Sequence, residues 1–131
     1  MIKHQYTMYL ENSPGALARI TGILAKAKVN IEGISVAESA GAALVQLIAG
    51  DEAATKKALA KAKIHYTTQE VSVIVLPHRP GALASLSSKL QKARTHIYYA
   101  YATAADNDDQ CCLVVSAEDI KLVEKIAKGF K

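Results

Sequence analysis

An α+β fold is predicted for this chain, as two consecutive βαββαβ units with their helices on one face of an antiparallel sheet. Three observations carry that expectation. The stretch Asn12-Ser13-Pro14-Gly15-Ala16-Leu17 returns as His78-Arg79-Pro80-Gly81-Ala82-Leu83. Each copy stands between a strand-like apolar run and an amphipathic helix. Behind each come two more extended runs and a second helix, in the same order.

Each element has its reason. Ser13 is a good helix N-cap, because its hydroxyl can accept from a free backbone N–H of the first turn. Pro14 suits the first helical position, where no N–H is needed and φ is already near the helical value. Gly15 keeps side-chain bulk away, so a ligand or a second backbone can come close. A glycine turn at a helix start leaves N–H donors pointing outward, which favours a carboxylate or phosphate. One Pro-Gly pair is ordinary helix-start punctuation. Two in matching contexts mark a repeated functional module.

Residues 14–36 align with 80–102 at a constant offset of 66. Leu17, Ile20, Leu24 and Ala27 fall on Leu83, Leu86, Leu90 and Ala93, spaced for one buried helix face. Arg19, Lys26 and Lys28 take the other face in the first copy; Lys89, Lys92 and Arg94 do so in the second. Extended segments follow at 29–36 and 95–102, rich in β-branched or aromatic residues. Turns are expected at 39–41 and 106–109, the second acidic enough for a solvated hairpin tip. Strands at 43–49 and 110–115 come next, and there the offset slips to 67.

Asp51 can cap a helix through Ala58 and Leu59, and the segment 116–119 one with Ile120, Val123, Ile126 and Ala127 inside. A short strand at 64–67 leads through Gln69 and Glu70 into a strand at 71–76. After the last helix only Gly129, Phe130 and Lys131 remain, so the last strand of the second repeat is expected to be missing or vestigial. The repeats divide the chain into 1–68 and 69–131.

Composition narrows the function classes. Half of the residues are hydrophobic but only 5% are aromatic, so the core should be Ala, Leu, Ile and Val. The formal charge of +4 is spread out, with 8 basic and 5 acidic residues in 1–66 and 8 and 7 in 67–131. No basic run resembles a nucleic-acid arm. Tyr98, Tyr99 and Tyr101 cluster on an expected edge strand, not on the central strands that would stack bases. No nucleic-acid partner is expected. No apolar run is long enough to span a membrane, and no apolar signal region opens the chain. A cytoplasmic protein without membrane contact is the expectation.

Cys111 and Cys112 are adjacent and cannot staple distant segments. His4 and His65 have no partner at metal spacing, and His78 and His96 repeat the 18-residue spacing of Asn12 and Asn30. No nucleophile–base pair, metal signature, P-loop or dinucleotide fingerprint is present. Neither an enzyme nor a cofactor is expected.

The doubled motif and element order resemble the ACT domain, the small-molecule-sensing module of amino-acid metabolic enzymes. In that family an Asn-x-Pro-Gly-x-Leu-like turn begins the first helix and a Val-Asn-Ile-like segment the second strand. Asn12 to Leu17 and Val29-Asn30-Ile31 match both. The second copy keeps Pro80, Gly81, Ala82, Leu83 and Ile97, with His78 and His96 in place of Asn. The resemblance implies ferredoxin-like units whose sheets pair side by side through the second-strand edge. It also implies an amino acid held where the first-helix turn of one unit meets the second strand of its neighbour. The implied ligand-binding residues are Asn12, Ser13, Pro14, Gly15, Ala16, Leu17, Asn30 and Ile31, with His78, Arg79, Pro80, Gly81, Ala82, Leu83, His96 and Ile97. Leu10 and Leu76 stand where some serine-sensing members carry a polar residue, so that specificity does not carry over. The implied function is a free-standing allosteric amino-acid sensor. The alternative is a regulatory or structural subunit for a separate enzyme, of the acetolactate synthase small-subunit type. A homodimer is expected from the sheet edge left uncovered after Phe130.

Overall fold

The computed structural model describes residues 1–104 and 109–129. Phe130, Lys131 and most of the expected hairpin tip, residues 106–108, lie outside the described residues. The elements run β1 (Ile2–Glu11), α1 (Ala16–Lys26), β2 (Ile31–Ser39), β3 (Ala42–Ala49), α2 (Glu52–Lys61) and β4 (Thr67–Pro77). They continue with α3 (Ala82–Lys92), β5 (Ile97–Ala104), β6 (Gln110–Ala117) and α4 (Ile120–Lys128). The chain forms two compact units, His4–Gln69 and Glu70–Lys131 with Met1–Lys3.

In the unit His4–Gln69, alternation sets one sheet face apart. β1 pairs antiparallel with β3, bringing Tyr6 opposite Leu47 and Met8 opposite Val45. β3 pairs with β2, and the strand order is β2-β3-β1. α1 lays Ile20 and Leu24 on the face carrying Tyr6, Met8, Val45 and Leu47, and α2 adds Leu59. Asp51 caps α2 as expected, accepting from the Ala54 N–H at 3.0 Å. The separate short strand expected at 64–67 does not form: residues 64–66 lie outside any strand, and Thr67 begins the 11-residue strand β4.

Helix ends place the heads of the edge strands. After α1, Val29 N–H donates to the Leu24 carbonyl and Lys28 N–H to that of Ala25, a Schellman closure with Lys28 left-handed at φ 59°. Arg94, at φ 55°, ends α3 the same way, with Thr95 N–H donating to Leu90. Asn30 and His96 therefore stand just ahead of β2 and β5. Their carbonyls accept from Gly50 N–H and Glu118 N–H, each at 2.9 Å.

In the second unit β4 pairs with β6 and β6 with β5, in the order β5-β6-β4. Ile74, Leu76, Leu86, Leu90, Leu113, Val115 and Val123 form its core. Among the described residues no strand follows α4, and residues 1–3 stand in for it. Val73 N–H donates to the Met1 carbonyl at 2.8 Å, and residues 1–3 belong to this unit. The edge expected to lie open is thus covered, and no dimer can be argued from it. The Glu124 carboxylate is buried here; it accepts from Ser72 Oγ at 2.6 Å and lies 2.7 Å from the Met1 amino nitrogen. Burial alone would raise its pKa. The hydrogen bonds from the amino group and Ser72 outweigh that and hold it below its ordinary 4.5.

Candidate functional site

Two local turns build the start of α1. Ser13 N–H donates to the Glu11 carbonyl at 2.9 Å, an i to i+2 closure around Asn12. Ala16 N–H then donates to the Ser13 carbonyl at 3.2 Å, across Pro14 and Gly15. Gly15 has φ 93° and ψ −9°, so Ser13-Pro14-Gly15-Ala16 is a type II turn with proline and glycine in their preferred places.

Ser13 does not cap α1. Gly15 occupies the N-cap position, and no side chain caps the helix. The reason is the turn itself: it spends the Ser13 carbonyl on Ala16 and delays the helix by two residues. Pro14 accordingly sits in the turn rather than in the helix. The first helical bond runs from Arg19 N–H to the Gly15 carbonyl at 2.8 Å, leaving Leu17 and Ala18 N–H without helical acceptors.

The second copy repeats this geometry. Arg79 N–H donates to Pro77, Ala82 N–H to Arg79 and Ser85 N–H to Gly81, which has φ 89°. Nothing lies within 4 Å of a Cβ built on Gly15 or Gly81. Glycine is therefore demanded by backbone angle, not by crowding. Gly15→Ala and Gly81→Ala should each lower stability by about 1–2 kcal/mol. A urea midpoint unchanged in both would show that the turns tolerate a side chain at positive φ.

A cleft of about 290 Å³ opens at the first turn, lined by Leu10, Glu11, Ser13, Pro14, Gly15, Ala16, Arg19, Ile20 and Ile64. Four of the residues expected at the site, Ser13 to Ala16, are in its wall. Leu17 is 47% exposed beside it, and Asn12 is exposed within the turn. Asn30 and Ile31 do not line the cleft; they stand at the head of β2.

In the other unit, Leu83 is 51% exposed and Ala82 buried. His78 N–H donates to the Asp109 carbonyl at 2.8 Å. The His96 ring meets Tyr98 edge-on at 5.3 Å, and Ile97 opens β5.

Glu11 and Arg19 are not among the site residues that the sequence implies, and the helical period places Arg19 on the face opposite the buried one. It is exposed, but on the side that lines the cleft. The usable signal was position: Arg19 is four residues beyond Gly15, one helical turn along the same side. Neither Glu11 nor Arg19 forms an ion pair among the described residues. At the repeat offset their places are taken by Pro77 and Ser85, which carry no charge.

The two units therefore share the βαββα core of the ferredoxin-like βαββαβ arrangement, with a Pro-Gly turn opening the first helix. Residues 7–63 match the family model of the ACT domain. A crystal structure of a Bacteroides thetaiotaomicron protein is similar, at 27% identity and TM-score 0.89 over 98% of this chain and 88% of that one. The ligand-free regulatory subunit of aspartate kinase from Thermus thermophilus has the same fold at 12% identity and TM-score 0.70, over 99% and 95% of the chains. Its counterpart from Thermus flavus gives 11% and 0.63, over 98% and 94%. No curated protein matches this chain.

Proposed function

We propose that this chain is a cytoplasmic, non-enzymatic regulatory protein that binds a free amino acid at the 12–17 turn. One observation carries the reading: Glu11 and Arg19, without an ion-pair partner among the described residues, flank a type II turn at the mouth of a cleft. The ligand α-carboxylate would take the Leu17 and Ala18 N–H groups and Arg19, with the helix dipole in support. The α-ammonium would take Glu11 and the Asn12 amide oxygen. Leu10, Ile20 and Ile64 leave an apolar wall for an uncharged side chain.

Asn30 and Ile31 stand at the head of β2, the edge strand of the order β2-β3-β1, and His96 and Ile97 at the head of β5, the edge strand of β5-β6-β4. A second copy aligned along either edge would bring such a strand head to a turn, which favours a homodimer. The 78–83 turn is the weaker candidate, because its cradle lacks the Glu11 and Arg19 charges. The family resemblance implies that binding is read by another protein. The Thermus proteins of this fold are regulatory subunits of aspartate kinase, which supports action on a separate enzyme chain.

Calorimetry with the twenty common amino acids should find one ligand bound per chain. Arg19→Gln should weaken that binding at least tenfold without altering the fold. Ligand at a hundred times its dissociation constant adds about 2.7 kcal/mol to stability, which a melting curve resolves. A flat response to all twenty would overturn the sensor reading and leave assembly with an enzyme as the protein's task.

A further inference from the structure

The outer face of the α1–α2 layer carries a second concave surface, distinct from the turn cleft. It is a groove of about 640 Å³ with Ile23, Ala54 and Ala58 in its floor and Lys26, Lys57 and Lys61 among its lining residues. Among the described residues none of these lysines is paired with a carboxylate. α1 contains no acidic residue, and α2 contains only Glu52, which His4 holds. The surface is apolar at its base and uniformly basic at its rim.

The groove belongs to the first repeat by sequence. Aligned from the caps Asp51 and Asp119, Ala54 and Ala58 correspond to Leu122 and Ile126, and Ile23 corresponds to Lys89 at the repeat offset. Larger side chains stand on α4 where α2 carries alanine.

We propose that this groove is a docking site for an amphipathic helix of a partner protein, with leucine-like residues on one face and Asp or Glu flanking it. The floor is made of helices, whose backbone groups are satisfied internally, so it offers nothing to an extended peptide. The occupant must satisfy its own backbone, as a helix does. The basic rim selects the sign of its flanking charges. A second copy of this chain does not fit through its helices, because α3 and α4 carry Lys89, Lys92, Lys121, Lys125 and Lys128.

Two labelled synthetic helical peptides test this in the full chain by fluorescence anisotropy. One carries leucines at helical spacing flanked by glutamates; its twin has lysine for every glutamate. The glutamate peptide should bind at least tenfold more tightly than its twin. Lys57→Glu with Lys61→Glu should invert that preference. Ala58→Leu should fill the groove and weaken the glutamate peptide at least tenfold, with the melting temperature and amino-acid affinity unchanged. The proposal falls if neither peptide binds, if the twins bind alike, or if Ala58→Leu has no effect. It also falls if phosphatidylserine vesicles bind while the glutamate peptide does not, because the surface is then a membrane patch.

Discussion

Glu124→Gln should lower the unfolding free energy by about 2–3 kcal/mol at neutral pH, the range for hydrogen bonds to a buried charge. For a chain of this size that is a melting drop of roughly 6–12 °C. The variant keeps the shape of the side chain and removes the charge that Ser72 and the Met1 amino group satisfy. The sign of the pH dependence follows from the depressed pKa. The folded carboxyl gives up its proton more readily than an unfolded glutamate of ordinary pKa 4.5. Its stabilisation is therefore complete above that value and is lost as pH falls through the lower folded value. Melting curves of the two proteins should converge in acid. A gap of constant size from neutral pH down to pH 2 would show that the loss is steric.

Leu24→Ala should cost about 3–4 kcal/mol, from lost transfer energy and the cavity left behind. Leu24 is fully buried against Tyr6, Met8 and Leu47, and its carbonyl also closes the helix end. Leu90 holds the same place in the second repeat at 2% exposure, so Leu90→Ala should cost nearly as much. Urea midpoints with an unchanged slope are the measurement. A loss below about 1 kcal/mol for either would mean that its helix is not seated through that residue.

These residues show what could be read from the sequence. Leu24 and Leu90 were legible because core positions on a helix recur with a fixed period, and the repeat displayed the period twice. The pairing of Tyr6 with Leu47 and of Met8 with Val45 was not legible, because alternation marks a strand's faces but not its partner. The helix start was misread because Pro-Gly serves both a first helical turn and a type II turn. Only the angle at Gly15 separates the two, and sequence does not display angles. Glu11 and Arg19 were overlooked because a charged residue on an exposed face looks the same whether it meets solvent or a cleft. Residues 1–3 escaped notice because three residues carry no period at all.

Those first residues have a consequence for how the protein is made. The hydrogen bonds between Met1 and Val73 join positions 72 apart, and the carboxylate beside them is later still in the chain. During synthesis residues 1–3 emerge before Val73 and Glu124, and cannot meet those partners until both have left the ribosome. The His4–Gln69 unit can settle while translation continues; the other cannot close its sheet until β6 has emerged. The Met1–Val73 contact is a long-range closure, and contacts of high sequence separation form slowly. Whatever occupies residues 1–3 in the interval, a chaperone or another chain, competes with that closure.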